Sequence, residues 1–229
     1  LALYNVVPVV LTGVALWFLS RFVRDQHVPH HGLALLGGAL ILAGGTAKVT
    51  WKLIAATTGA DIEWLANALF PLMAPGFALL AVAIWGATRR LRGRQPLADW
   101  RVVLLAVLLA FAIAAVRQWI LEMPRGWFLP LLALASLGNL GASILLIRAA
   151  LGLHRWRIAL LFAINLAMIF ALQPIAMASP KTLALHWIEQ SLTVFGTGCF
   201  ALAAYLLWRT AVTCRCKNSK KSVPAGRPG

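Results

Sequence analysis

Seven strongly apolar runs, separated by short polar connectors, divide the chain from its first residues to about position 208. Each run is close to the roughly 20 residues that a helix needs to cross about 30 Å of hydrocarbon. The pattern therefore predicts an all-α fold: a polytopic membrane helix bundle with seven transmembrane helices. The predicted spans are 2–20, 33–56, 63–88, 101–121, 128–148, 157–177 and 183–208.

The composition agrees with this pattern. Hydrophobic residues make up 61% of the chain, charged residues make up 12%, and the mean hydropathy is +0.83. A soluble domain usually carries about 25% charged residues. The short connectors leave no space for a domain outside the membrane, so residues 1–209 are predicted to form one seven-helix transmembrane domain. The segment 210–229 is basic and contains Pro and Gly, which predicts a disordered cytoplasmic tail.

The positions of Lys and Arg predict the orientation. Basic residues accumulate in the cytoplasmic loops of membrane proteins, and 16 of the 21 here lie in the connectors 21–32, 89–101 and 148–157 or beyond position 208. Four of the six acids lie at the opposite helix ends: Asp61, Glu63, Glu122 and Glu189. We therefore expect an outside N-terminus, a cytoplasmic C-terminus and, as the location, a bacterial inner membrane. The net charge of +15 then reflects topology, and no nucleic acid is expected as a partner.

The ten tryptophans indicate the same span ends independently. Indole rings favour the headgroup level of a bilayer, so two belts of tryptophan are expected, and the lipid bilayer is the first expected partner. The inner belt would hold Trp17, Trp85, Trp100, Trp156 and Trp208, and the outer belt Trp51, Trp64, Trp119, Trp127 and Trp187.

The second span combines small residues with two lysines. Gly37 and Gly44 would let neighbouring helices approach closely. Lys48 and Lys52 lie one helical turn apart on one face. Lys52 is close enough to the outer interface to extend its ammonium into the headgroups, whereas Lys48 lies about 6 Å deeper. A charged residue at the helix centre costs about 2.5–3.5 kcal/mol, so Lys48 is predicted to face the bundle interior with a partner or a ligand.

Other polar residues fall at the same predicted depth in the neighbouring spans. Together they predict a ligand-binding pocket that opens to the extracytoplasmic side, formed by Lys48, Lys52, Asn67, Arg117, Gln173, His186, Glu189 and Gln190. Asn139 and Asn165 are deeper exceptions in an otherwise apolar inner half. Glu189, Arg117 and Glu122 have an alternative role, since these charged residues and the lysines would also form structural ion pairs.

The charges of this pocket indicate the class of ligand. Cations outnumber acids if Asp61, Glu63 and Glu122 stay solvated outside the pocket. Such a surplus favours an anionic or polar small molecule, or the phosphate of a lipid headgroup, as the partner.

The sequence predicts no metal site and no cofactor. The histidines of "HVPHH" include His27 and His31, but Pro29 breaks the helical geometry and no acid or Cys completes a ligand set. Haem requires His ligands within the spans, and His154 and His186 fall at opposite faces of the membrane. Retinal would need a lysine midway along the last span, where there is none. Three cysteines give no disulfide framework.

Three functions are compatible with these features. The first is a small transporter or permease, favoured by the polar pocket and the small extramembrane content. The second is a non-transporting ligand-binding, sensory or accessory subunit, whose protein partner would contact the cytoplasmic basic loop "RRLRGR" (89–94). The third is an intramembrane lipid-modifying enzyme, which is favoured least because no nucleophile or metal set accompanies the acid and base residues.

Overall fold

The computed structural model describes residues 3–29, 31–95, 100–177 and 183–221, with side chains described in 4–29, 31–95, 100–172 and 185–214. Throughout these ranges the regular elements are helices, so the all-α prediction is confirmed. A 3-10 turn (Leu3–Asn5) precedes the first helix, and a π-helical segment (Val116–Ile120) continues the fifth. The helices are α1 (Val6–Asp25), α2 (Gly32–Thr58), α3 (Glu63–Asn67), α4 (Leu69–Leu91), α5 (Trp100–Ala115), α6 (Phe128–Gly152), α7 (Trp156–Met177) and α8 (Leu183–Lys221).

Seven of these helices, all except the short α3, lie where the spans were predicted. Within the described residues, six segments are long and apolar enough to cross a membrane, and in α7 the described apolar stretch, Trp156–Leu172, is shorter. The protein is therefore a polytopic membrane helix bundle.

The last helix extends further than the sequence pattern indicated. α8 continues to Lys221, so residues 210–221, which were predicted as part of a disordered tail, are helical. The reason is local, because "TAVTCRCKNSKK" contains neither Pro nor Gly and the next helix breaker is Pro224. Residues 222–229 lie outside the described ranges.

The long helices form two units. The most extensive contacts join α2 with α4 and α4 with α6, and the next most extensive join α1 with α8 and α7 with α8. Contacts between these two groups, made by α1 with α2 and α4 and by α6 with α7, are less extensive. We refer to α2, α4 and α6 as the first unit and to α1, α7 and α8 as the second unit. α5 packs outside the first unit, against α4 and α6.

Glycines bring the helices of the first unit into backbone contact. A Cβ atom on Gly37 would lie 2.7 Å from the carbonyl oxygen of Gly76, and one on Gly138 would lie 2.9 Å from the carbonyl carbon of Phe77. Only glycine fits at such distances, because any side chain would overlap the neighbouring backbone. The close approach predicted for the second span is thus confirmed at Gly37.

The two ends of the bundle differ in charge and in packing. We call them the acidic end, with Asp61, Glu63, Glu122 and Glu189, and the basic end, with Arg24, Arg89, Arg155 and Arg209. The main cluster of buried apolar residues fills the basic half, around Phe22, Ile84, Phe162 and Leu207. A smaller cluster around Leu131 lies in the acidic half.

The outer surface of the bundle is apolar. Side chains such as Leu105 (67% exposed) and Trp119 (77% exposed) have no protein neighbours over most of their surface. Soluble monomers rarely expose apolar patches of more than a few hundred Å², so lipid is the natural contact for this surface. Seven of the ten tryptophans are exposed, as expected for aromatic belts.

Candidate functional site

A cavity lies at the acidic end of the first unit. It has a volume of about 480 Å³ and lies between the end of α2, the loop and α3 that follow, the start of α4 and the start of α6. We call it the outer cavity. Its polar and aromatic lining consists of Lys48, Trp51, Asp61, Glu63, Asn67, Phe70, Arg125, Trp127 and Phe128.

Lys48 faces this cavity, and its surroundings explain why. The ammonium Nζ lies 4.2 Å from the centroid of the Trp51 ring, within the range of a cation–π interaction. The indole Nε1 of Trp51 donates a hydrogen bond of 2.8 Å to the Asp61 carboxylate. Gly59 makes this contact possible, because it ends α2 in the left-handed region (φ +70°) and turns the chain back toward Trp51.

Arg125 supplies a second cation, which the sequence pattern did not indicate. It lies in the turn before α6 with a left-handed backbone (φ +55°), a conformation that costs a non-glycine residue about 1–2 kcal/mol. Backbone outliers of this kind concentrate at functional sites.

The charges of the outer cavity balance. Lys48 and Arg125 contribute two positive charges, and Asp61 and Glu63 contribute two negative ones. The predicted surplus of positive charge assumed that Asp61 and Glu63 stay outside the pocket, and both line it.

Lys52 belongs to a different cluster from Lys48. Its Nζ donates a hydrogen bond of 3.1 Å to the side-chain oxygen Oδ1 of Asn5, and the buried Gln190 donates one of 2.7 Å to the same oxygen. Asn5 precedes α1 and Gln190 lies in α8, so this cluster links α2 to the second unit. The two lysines share a helix face, but their long side chains extend in different directions. Lys48 extends toward the outer cavity, and Lys52 extends toward Asn5.

The other predicted site residues lie elsewhere. The Nε of Arg117 donates a hydrogen bond of 3.2 Å to the carbonyl oxygen of Gly126, which holds the turn between α5 and α6. His186 is exposed on α8, and Glu189 lies half-buried one turn further along. Gln173 belongs to α7, but its side chain lies outside the described residues. Of the eight predicted residues, Lys48 and Asn67 line the outer cavity, and Lys52 and Gln190 meet at Asn5.

A second cavity of about 170 Å³ lies deeper, between the two units. We call it the inner cavity. Its lining is mostly apolar, with Met73, Phe77 and Phe200 among its walls. Its polar groups are the amides of Asn139 and Asn165 and the hydroxyls of Thr12, Thr193 and Thr197. The two asparagines that stood out as deep exceptions in the sequence thus line one cavity.

No protein family, curated protein or solved structure matches this chain. The geometry therefore carries the functional argument. Within the described ranges, no group of three His, Cys, Asp or Glu side chains is positioned to hold a metal ion.

The sequence pattern did not predict Asp61, Glu63 and Arg125 as site residues, but all three line the outer cavity. Each lies in a connector, and connectors usually carry solvated charges. A signal was nevertheless present, because Asp61 and Glu63 follow Gly59 within a few residues and a left-handed glycine at a helix end reverses the chain. Arg125 had no comparable signal.

Proposed function

We propose that this membrane bundle is a small transporter or permease for a polar small molecule or a lipid headgroup, which it captures in the outer cavity. The ligand would carry an anionic and a cationic group. The observation that supports this most directly is the balanced charge set of the outer cavity, two cations and two carboxylates around about 480 Å³.

The residue types suit a zwitterionic ligand. Lys48 and Arg125 would bind a carboxylate or phosphate, and the Arg guanidinium offers paired donors for such a group. Asp61 and Glu63 would bind an ammonium. The aromatic rings of Trp51 and Trp127 would shield these charge pairs from water, which strengthens them.

The division into two units favours transport over binding alone. The inner cavity lies at the interface of the two units and combines an apolar wall with amide and hydroxyl groups. Transporters commonly hold their substrate between two groups of helices that move against each other. We infer that a captured molecule passes from the outer to the inner cavity during such a movement, and that the acidic end is extracytoplasmic.

Uptake into proteoliposomes tests this proposal. Three labelled probes cover the ligand classes: the zwitterion L-serine, the anion lactate and the phosphate ester glycerol 3-phosphate. We expect time-dependent uptake of at least one probe, most strongly the zwitterion. Lys48→Gln should reduce that uptake at least about tenfold, because a hydrogen bond to a charged group contributes about 1.5–3 kcal/mol. Lys48→Arg should retain most of it.

A binding measurement on the same protein separates this function from its closest competitor. The dense apolar core of the basic half favours a non-transporting ligand-binding subunit, because neither the outer nor the inner cavity extends to the basic end. Probe binding that depends on Lys48, together with uptake no greater than in empty liposomes, would overturn the transport proposal and support the binding subunit.

A further inference from the structure

Four arginines converge at the basic end, far from the outer cavity. Arg89, Arg92, Arg94 and Arg148 line a cavity of about 110 Å³ together with Trp85 and Leu145. We call these four residues the arginine cluster. It lies between the end of α4 and the last turns of α6, on the first unit.

The local sequence explains how three of these arginines reach one place. Gly93 adopts the left-handed conformation (φ +67°), which ends α4. The backbone N–H of Arg94 then donates a hydrogen bond of 3.0 Å to the carbonyl oxygen of Arg89, and the Nε of Arg89 donates one of 2.9 Å to the carbonyl oxygen of Gln95. The chain thus folds back over its own last turn, and Arg92 and Arg94 lie beside Arg89.

The guanidinium groups have more donors than the protein uses. Each has five N–H donors, and the side-chain hydrogen bonds of the cluster are those of Arg89 to Gln95 and of Arg92 to the carbonyl oxygen of Arg148, the latter at 3.4 Å. In the described part of the chain, none of the four forms a salt bridge. Asp99 belongs to residues 96–99, outside that part.

We propose that the arginine cluster binds a phosphoryl group, carried by an anionic phospholipid or present as inorganic phosphate. Guanidinium is the side chain best suited to phosphate, because its planar fork donates two parallel hydrogen bonds to two oxygens. Basic pockets between membrane helices at the cytoplasmic side suit lipid headgroups. The exposed indole of Trp85 (40% exposed) and the apolar Leu145 border the cavity, where a glycerol backbone and acyl chains would lie.

Soluble probes distinguish the two sources of phosphate. In a neutral detergent, binding is measured for dihexanoyl-phosphatidylglycerol, dihexanoyl-phosphatidylcholine and inorganic phosphate, each at matched ionic strength. Binding of phosphatidylglycerol with much weaker binding of phosphate supports the lipid source. Comparable binding of both, with competition between them, supports recognition of the phosphoryl group itself.

The double variant Arg92→Gln/Arg94→Gln tests the assignment of the site. Both side chains are exposed, and Arg89, which holds the turn, is left intact. We expect the Kd for the bound probe to rise at least about tenfold. Arg90→Gln is the matched control, since Arg90 is exposed on the same helix turn and does not line the cavity.

Three results would overturn the proposal. They are equal weakening by Arg90→Gln, binding of phosphatidylcholine and phosphatidylglycerol that is equal and is not weakened in Arg92→Gln/Arg94→Gln, and no binding of either anionic probe by the wild-type protein. Because the cluster and the outer cavity share no residue, uptake through the outer cavity can fail while this site binds, and the reverse.

Discussion

The indole of Trp51 donates its hydrogen bond to Asp61 across a chain reversal, so that the loop after α2 is tied to the helix it has just left. The same indole ring lies beneath the ammonium of Lys48. One tryptophan therefore contacts both a cation and an anion of the outer cavity.

Removing this contact should loosen the loop. We expect Asp61→Ala to increase amide hydrogen exchange in residues 59–63, because a hydrogen bond of this kind contributes about 0.5–1.5 kcal/mol. Trp51→Phe should have the same effect, since it removes the donor and keeps a ring. Asp61→Asn keeps an oxygen acceptor and should leave exchange close to wild type. Equal exchange in Asp61→Ala and Asp61→Asn would contradict the role given to the bond.

The backbone contact between α2 and α4 should make Gly76 intolerant of substitution. A Cβ on Gly76 would lie 2.9 Å from the carbonyl oxygen of Gly37, so Gly76→Ala should destabilise the protein by about 1–3 kcal/mol. The thermal unfolding midpoint in detergent measures this change. Gly141→Ala is the control, because no atom lies within 4 Å of its Cβ and alanine favours a helix by up to about 1 kcal/mol. A similar loss in both variants would show that crowding is not the cause.

The link between α2 and the second unit should depend on Asn5. Asn5→Ala removes the oxygen to which both Lys52 and Gln190 donate, and Gln190 is only 7% exposed. Leaving a buried donor without its acceptor costs about 1–3 kcal/mol, which thermal unfolding should report. Asn5→Asp keeps an acceptor oxygen and should retain most of the stability. If both variants were as stable as wild type, the cluster would have no structural role.

Substitution of Asn165 in the lining of the inner cavity should reduce uptake without reducing the stability of the protein. Within the described side chains, Asn165 makes no hydrogen bond and is only 6% exposed, so Asn165→Leu should leave the unfolding midpoint unchanged or raise it. If a transported molecule passes Asn165, the same variant should reduce uptake at least about tenfold. Ser143→Ala, which alters a buried polar residue outside the cavity, serves as the control. Unchanged uptake in Asn165→Leu would remove the inner cavity from the proposed route.

The proposed orientation can be tested with introduced cysteines. In a variant that lacks Cys199, Cys214 and Cys216, a single cysteine replaces Ala56 near the acidic end or Arg90 at the basic end, both of which are exposed. An impermeant maleimide should label Ala56→Cys in intact cells and Arg90→Cys after permeabilisation alone. The reverse pattern would invert the topology and place the outer cavity on the cytoplasmic side.

The span pattern predicted the bundle well because membrane helices are set by local composition. A run of about 20 apolar residues has few alternatives once it is in lipid, so the positions of the long helices follow from hydropathy. The inward position of Lys48 followed from the energetic cost of a lysine facing lipid. These inferences need no knowledge of which helices are neighbours.

The composition of the site, in contrast, depends on which helices are neighbours. The sequence differs for Lys48 and Lys52 only in predicted depth and assigns both to one pocket. The packing of α4 on one side and of α1 with α8 on the other places them in different clusters. Arg125 reaches the outer cavity because Gly126 packs against the backbone of Arg117, where a Cβ would lie 2.7 Å from the carbonyl oxygen. Such contacts between distant segments leave no periodic trace in the sequence.

The division of the bundle into two units has a consequence for the two cavities. The walls of the outer cavity come from the first unit and the connectors at its acidic end, whereas both units contribute to the inner cavity. A rigid-body rotation of one unit against the other would therefore carry the outer cavity along unchanged and would alter the shape of the inner one. Recognition of a ligand and its passage would then be physically separate steps, open to independent change by mutation.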